Sequence, residues 1–244
     1  DHGLYTGLRY LAPGQRFIKY VDGTENIRKE NSYRPWDADI SMTDPVSQLA
    51  QVTDEIFRDL VIELNGRQVV IPLSAGNDSR LVAAMLKKNG YDNVLCLTYG
   101  TKGSFEARIA ERVAKKLNFA WHFVPLTVKR ERNFYRSDDY NTYLSFADNL
   151  DSVPYFQGLS AIKYLKESSL IDEDSVWING NSGDFISGGH IPLSEDKLDE
   201  PEINWKRTEQ KFLDKHLSLW RCLRTSENDN AILKRLEEER EKLR

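Results

Sequence analysis

The feature that most constrains the fold is an alternation of short apolar runs with longer helical patterns between residues 68 and 124. Each apolar run has the length of a strand, and each is followed by a segment whose apolar residues recur at helical spacing. Strands are predicted at 68–73, 93–98 and 119–124, and helices at 79–89 and 104–117, the second with a buried stripe of Ile109, Val113 and Leu117. Repeated βα units of this length predict a parallel sheet with right-handed crossovers and a ligand site beyond the carboxyl ends of its strands.

A further helix is predicted before this alternation, from Thr43 or Asp44 to Asn65. Pro45 suits its first turn and Gly66 its end. Its apolar residues at helical spacing are Leu49, Val52, Ile56, Leu60 and Leu64. The other predicted elements are two short strands around the Pro13-Gly14 turn, an irregular stretch at 130–156, a strand at 175–178, and helices at 158–167, 205–223 and 230–243.

Composition restricts the class of function. The net charge of −4 argues against a broad nucleic-acid surface, which needs clustered Lys and Arg. The apolar runs fall far short of the roughly 20 residues that cross a bilayer. Cys96 and Cys222 are interpreted as buried thiols, and the four histidines lack metal-ligand spacing. We expect a cytoplasmic protein with neither a nucleic-acid nor a membrane partner.

Both ends of the chain have the features of an excised piece. The chain begins at Asp1 without an initiator Met or a signal-peptide pattern. It ends at Arg244 inside a helical pattern without a stop residue. We therefore expect a longer parent protein.

The loop Ser74-Ala75-Gly76-Asn77-Asp78-Ser79 connects a predicted strand to a predicted helix. Backbone N–H groups and a positive helix end converge there, which is typical of a phosphate site. Ser74 and Ser79 add hydroxyl donors, and Gly76 is expected to permit a tight turn. Asp78 has the hard oxygens that suit Mg²⁺. The alternative is that Asp78 or Ser79 only caps the helix.

Two later loops follow predicted strands in the same way. Leu97-Thr98-Tyr99-Gly100 ends the second strand, and Glu106 lies in the first turn of the next helix, where a carboxylate is also favoured for stability alone. The stretch Asn179-Gly180-Asn181-Ser182-Gly183-Asp184-Phe185 follows a later strand, with a generic Gly-rich turn as the alternative. Three basic residues near these loops are either phosphate partners or solvated surface charges: Arg80, Lys102 and Arg108.

Taken together, the three loops resemble those of a known family. Residues 73–79 resemble the Ser-Gly-Gly-X-Asp-Ser signature of the PP-loop ATP pyrophosphatases, and the later loops are similar to the C-terminal synthetase domain of glutamine-hydrolysing asparagine synthetases. The resemblance implies a three-layer α/β fold with a parallel sheet, of the adenine nucleotide alpha hydrolase-like type, with a helical C-terminal portion. It implies a remnant of a glutaminase-like domain and linker at 1–40, an ATP-binding synthetase domain at 41–200 and a truncated helical portion at 201–244.

The resemblance also implies an activity. A small-molecule carboxylate would be adenylated by ATP and then amidated, with release of AMP and pyrophosphate. ATP and Mg²⁺ are the implied cofactors, Asp78 and Asp184 the metal ligands, and these two with Asn181 the catalytic residues. Ammonia would come from a missing glutaminase domain, since that domain needs an N-terminal Cys and this chain starts with Asp1. The implied ATP-binding residues are Leu73, Ser74, Ala75, Gly76, Asn77, Ser79, Arg80, Tyr99, Glu106, Asn179 and Gly180.

Three positions depart from the family pattern. Ala75 replaces a glycine, so its Cβ would be strained if the loop requires a positive φ there. Asn181 and Phe185 stand where the family has glutamates, and a neutral amide does not accept a proton as a carboxylate does. These changes leave two alternatives. One is an adenylating enzyme with another acceptor, such as a sugar acid in polysaccharide biosynthesis or a cyclising substrate. The other is a degenerate nucleotide-binding domain without turnover.

Overall fold

The computed structural model describes residues 6–8, 10–11, 14–30, 44–148, 154–181, 183 and 205–241. The chain divides into two compact units, Asp1–Gly180 and Asn181–Arg244. The first unit contains the strands, and the second contains helices within its described part.

The earliest described strands of the first unit form an antiparallel hairpin of β1 (Gln15–Lys19) and β2 (Glu25–Lys29). In its turn, the Asp22 carboxylate accepts hydrogen bonds from the Thr24 amide at 2.9 Å and from the Thr24 hydroxyl at 2.7 Å. Gly23 in the same turn has a φ of +84°. The prediction of two strands around Pro13-Gly14 is therefore half wrong, because the partner of β1 follows it in the chain.

The main sheet consists, among the described residues, of four parallel strands in the order β5-β4-β3-β6. These strands are β3 (Val69–Pro72), β4 (Val94–Gly100), β5 (Ala120–Pro125) and β6 (Val176–Trp177). The chain moves outward from β3 to β5 and then returns to place β6 on the other side of β3. The direction of winding thus reverses between β3 and β6.

Six helices accompany these strands in the described part of this unit: α1 (Pro45–Leu64), α2 (Asn77–Lys88), α3 (Phe105–Leu117), α4 (Val128–Phe134), α5 (Asp138–Ala147) and α6 (Leu159–Glu167). Side chains of Asp44 and Ser104 cap α1 and α3 by accepting backbone N–H groups at 3.1 and 3.2 Å. Such caps satisfy amides that have no partner inside the helix. The predicted starts of these two helices agree with the structure.

Apolar side chains fill both faces of the sheet, because successive residues of a strand point to opposite sides. One core joins the sheet to α1, α2 and α3, and it includes Leu64, Ile71, Leu86, Cys96 and Ala114. The other core joins the sheet to α6, and it includes Val70, Leu97, Val124, Ala161 and Leu165. Helices therefore cover both faces, and the predicted three-layer α/β fold with a parallel sheet is confirmed.

The structure corrects three local predictions. The stretch 130–156 contains α4 and α5 rather than being irregular. The fully buried residues of α3 are alanines 107, 110 and 114, whereas the predicted stripe is only partly buried. The periodic apolar residues of α1 also differ in burial, since Leu64 is buried while Leu49, Val52 and Ile56 are exposed. Cys96 is buried as predicted, but Cys222 is exposed.

The second unit is described over α7 (Trp205–His216), a 3-10 turn at Ser218–Leu223, and α8 (Ser226–Glu241). The predicted helix at 205–223 therefore ends early, and the predicted helix at 230–243 begins early. The guanidinium of Arg224 donates to both carboxylate oxygens of Asp229, at 2.7 and 3.0 Å, and to the Leu213 carbonyl at 3.2 Å. These bonds fix the start of α8 against the end of α7. None of the helices in the described ranges is long and apolar enough to cross a bilayer.

Candidate functional site

The reversal of strand order between β3 and β6 defines the position of the candidate site. In open parallel sheets, the two loops that leave such neighbouring strands diverge to opposite faces and leave a crevice at the carboxyl edge. Here the loop 74–76 leaves β3 and enters α2. The segment 178–180 leaves β6, and its first residue still donates a backbone hydrogen bond to Val70 at 3.1 Å.

Gly180 brings these two loops into contact. A Cβ at this position would lie 2.7 Å from the Ser79 nitrogen and 2.8 Å from the Asp78 Cβ. Both distances are shorter than real Cβ contacts, so a glycine is required for the two backbones to approach this closely. The first loop and the start of the third loop, at Gly180, therefore meet at the first turn of α2.

Hydrogen bonds within the loop fold it over the start of α2. The Ser74 backbone N–H donates to the Ser79 hydroxyl oxygen at 3.2 Å, and the two serine hydroxyl oxygens lie 3.2 Å apart. The Gly76 N–H donates to the Ser74 hydroxyl oxygen at 3.0 Å. Ser79 is 6% exposed. Both hydroxyls thus shape the loop.

The amino end of α2 has no side-chain cap among the described residues. Its N-cap residue is Gly76, so the alternative in which Asp78 or Ser79 caps the helix is wrong. Asp78 lies in the first turn and is half-buried. An uncapped helix start presents backbone N–H groups and a partial positive charge, which together favour an anion.

The backbone of the loop is unstrained. Ala75 is not among the described residues with positive φ, so its Cβ causes no conformational strain. The chain bends at residues 75–76, but Gly76 has a φ of −68°, which any residue can adopt. The structure gives a different reason for this glycine, because a Cβ there would lie 3.2 Å from the Ser74 hydroxyl oxygen.

Arg80 contacts the loop itself. Its Nε donates to the Gly76 carbonyl at 2.9 Å, and its guanidinium also donates to the Asn77 side chain. The geometry therefore shows Arg80 and Asn77 supporting the loop, and pairing of Arg80 with phosphate stays a prediction. The side chains of Lys102 and Arg108 are exposed.

Leu73 and Tyr99 lie at the carboxyl ends of β3 and β4. The Leu73 N–H donates to the Leu97 carbonyl at 2.7 Å, and the Leu73 carbonyl accepts from the Thr98 hydroxyl at 2.8 Å. The Tyr99 ring packs on Gly158, where a Cβ would lie 2.7 Å from its Cζ. Burial raises the pKa of Tyr99 to about 12, and the neighbouring Tyr155 makes a smaller contribution in the same direction. The importance of Thr98 was not predicted from the sequence. The only signal there is a hydroxyl side chain within an otherwise apolar strand.

The remaining predicted residues are only partly located. Glu106 is exposed in the first turn of α3, and Asn179 is exposed just before Gly180. Asn181 belongs to the second unit. Asp184 and Phe185 lie outside the described residues, so the metal pair of Asp78 and Asp184 stays a prediction. Within the described ranges, no group of three or more His, Cys, Asp or Glu side chains converges as a metal site would.

A separate cavity of about 440 Å³ lies between α4 and α6. None of its lining residues belongs to the three loops. Its Lys163 forms ion pairs with Asp139 and with Glu167, and its Arg130 stacks 4.5 Å above the Tyr164 ring. Carboxylates therefore already neutralise this lysine.

Comparison with known proteins gives remote likenesses. No protein-family model and no curated protein matches the chain. Among solved structures, it is similar to an NH3-dependent NAD synthetase from Campylobacter jejuni, with a TM-score of 0.40 and 18% identity over 78% of this chain and 91% of that one. It is also similar to a predicted tRNA methyltransferase subunit from Methanocaldococcus jannaschii, with a TM-score of 0.26 and 22% identity. That match covers 61% of this chain and 63% of the other chain. The assignment of the fold class therefore depends on the strand order and the two cores.

Proposed function

We propose that this chain binds ATP at the loop 74–79 and adenylates a small-molecule carboxylate. The observation that supports this most strongly is the uncapped start of α2, which has the serine loop folded over it and the Gly180 backbone packed against it. A site of this kind presents several backbone N–H groups to one anion. The signature resemblance of the loop then favours pyrophosphate over a single phosphate.

In the proposed reaction, a carboxylate oxygen of the substrate attacks the α-phosphorus of ATP. The bond from that phosphorus to the bridging oxygen breaks, and pyrophosphate leaves with the bond electrons. The α2 amides and the hydroxyls of Ser74 and Ser79 stabilise the charge that develops on this leaving group. Asp78 and Asp184 would hold Mg²⁺, which neutralises phosphate charge when it is bound.

The second half of the reaction is the attack of ammonia on the acyl adenylate, with AMP as the leaving group. Ammonia would come from a glutaminase domain, and the setting would be the cytoplasm. Asn181 does not supply a carboxylate base for this step. That substitution favours an acceptor other than the one used in asparagine synthesis, such as a sugar acid or a substrate that cyclises through its own amine.

Calorimetric titration tests the nucleotide part of this proposal. We expect Mg²⁺·ATP to bind about tenfold or more tightly than AMP, because each charge-assisted phosphate contact contributes about 1.5–3 kcal/mol. Ser79→Ala should weaken ATP binding. Ser145→Ala is the matched control, since it removes a serine hydroxyl bonded to the Asn141 carbonyl on α5. Equal affinity for AMP and ATP, or no heat with either, would remove the loop assignment.

A further inference from the structure

A line of three hydrogen-bonding groups crosses the sheet toward the loop. The indole N–H of Trp121 on β5 donates to the Thr98 hydroxyl oxygen at 3.0 Å. The Thr98 hydroxyl on β4 in turn donates to the Leu73 carbonyl at 2.8 Å. Thr98 is 5% exposed, so its bond to the Leu73 carbonyl is shielded from water.

The direction of these bonds is fixed by chemistry. An indole N–H only donates and a carbonyl oxygen only accepts, while a hydroxyl does both. Trp121 therefore occupies an acceptor position of Thr98 and leaves the hydroxyl proton for Leu73. Because Thr98 is β-branched, its χ1 angle is also restricted on a strand. The hydroxyl is thus oriented from two sides.

The carbonyl that Thr98 holds belongs to the peptide unit at the start of the loop. That unit is planar, so the Leu73 carbonyl and the Ser74 N–H turn together. The Ser74 N–H donates to the Ser79 hydroxyl oxygen at 3.2 Å, in the first turn of α2. One end of the plane is therefore held by β4 and the other by α2. Rotation of this peptide would break both bonds and redirect the loop.

We infer that Thr98, oriented by Trp121, is a positioning residue that sets the peptide plane from which the phosphate-binding loop departs. The effect of Thr98 on ATP rests on the proposed function, whereas its effect on the loop does not. Thr98 acts through the backbone of Leu73 and Ser74. Loss of the hydroxyl leaves the buried Leu73 carbonyl and the partly buried indole N–H without this partner, and a buried polar group without a hydrogen bond is costly.

The test compares Thr98→Val, which removes the hydroxyl, with Thr98→Ser, which keeps it. Thr53→Val is the matched control, because the Thr53 hydroxyl donates to the Leu49 carbonyl at 2.7 Å on α1. Hydrogen exchange of the Ser74 and Gly76 amides reports the loop directly, and calorimetry with Mg²⁺·ATP reports binding. We expect Thr98→Val to speed exchange and weaken ATP binding by about tenfold each, the effect of about one lost hydrogen bond. Thr98→Ser and Thr53→Val should stay near wild type.

Wild-type loop exchange in Thr98→Val would overturn the inference. The inference would also be overturned if hydrogen exchange became equally faster at the loop amides and at the Val70 amide in β3, because that pattern indicates general destabilisation. If Thr98→Val does not fold, the same measurements are made on Trp121→Phe, which keeps the Thr98 hydroxyl and removes the indole N–H that orients it. If the wild-type chain binds no ATP, the proposed function fails, while the exchange result still decides the role of Thr98.

Discussion

Two glycines of the candidate site lie in close contact with their neighbours, and neither is explained by a left-handed backbone. Gly76 adopts an ordinary φ and faces the Ser74 hydroxyl. Gly180 faces the backbone of Asp78 and Ser79. A hydroxyl can rotate away from a new methyl group, whereas a helix backbone cannot. Substitution of Gly180 should therefore be more harmful than substitution of Gly76.

We expect Gly180→Ala to separate the first and third loops and to cost about 1–3 kcal/mol, the usual penalty of overpacking. ATP binding should weaken as well, because the displaced backbone carries the proposed site. Gly90→Ala is the control, since Gly90 has a φ of +74° and open space around it. It should lower stability through strain and leave ATP binding unchanged. Urea unfolding and calorimetry measure both effects, and an unchanged ATP affinity in Gly180→Ala would contradict the contact.

For Asp78, an effect on turnover must be distinguished from an effect on ATP binding. If Asp78 and Asp184 hold Mg²⁺ on the pyrophosphate, the loss of either carboxylate affects turnover more than ground-state binding. We expect Asp78→Asn and Asp184→Asn each to lower pyrophosphate and AMP release by about 100-fold or more in an active parent protein. Asp92→Asn is the control, because Asp92 is an exposed acid paired with Lys87.

The products of that assay also distinguish the reaction classes. Adenylation yields AMP and pyrophosphate, so ADP and phosphate would assign the protein to a kinase-like class. Wild-type rates in both mutants would remove these aspartates from the chemistry. A wild type that binds ATP but turns over no carboxylate would leave the degenerate nucleotide-binding domain as the explanation.

At the scale of elements, helices with a periodic apolar pattern and recognisable start and end residues could be predicted from the sequence. The helix α1 has Asp44 and Pro45 at its start and Asn65 in a left-handed conformation at its end. By contrast, α4 and α5 were missed because they are short and because α5 has no buried residue. Four rings hold this stretch together by edge contacts of 5.0–6.5 Å: Phe134, Tyr135, Tyr140 and Phe156. Contacts of this kind have no periodic pattern in a sequence.

Periodicity alone does not show which part of α1 is buried. Leu64 is 1% exposed, whereas Leu49 is 59% exposed on the same helix. Leu64→Ala should therefore cost about 2–5 kcal/mol, as expected for a leucine removed from a packed core. Leu49→Ala is the matched change and should stay within about 0.5 kcal/mol. Urea denaturation of the two variants checks this, and equal losses would show that Leu49 is covered in solution.

At the scale of the whole molecule, the parallel sheet could be predicted but its strand order could not. Local spacing shows that strands and helices alternate, yet the side of β3 on which β6 pairs depends on a crossover of some fifty residues. The contact between the first and third loops depends on that order. For this reason the sequence indicated the loop residues, while Thr98 and the steric role of Gly180 emerged only from the assembled sheet.

Among the described residues, both cores of the first unit draw their members from between Phe57 and Ile178. We therefore expect a chain cut after Gly180 to unfold cooperatively in urea. A chain cut after Glu167 is the control, because it lacks β6 and the packing of Val176, Trp177 and Ile178. It should lose cooperativity. Gradual unfolding of the longer piece would show that the second unit is needed for the fold of the first.

The two cysteines differ in a way that helps an experimenter. Burial leaves Cys96 with no exposed surface and raises its pKa to about 12, and only the thiolate reacts with electrophiles. Cys222 is exposed in the 3-10 turn between α7 and α8. A maleimide dye should therefore attach at one position of the unmodified sequence. Its fluorescence anisotropy would then report how the C-terminal helices respond when nucleotide is added, without any engineered thiol.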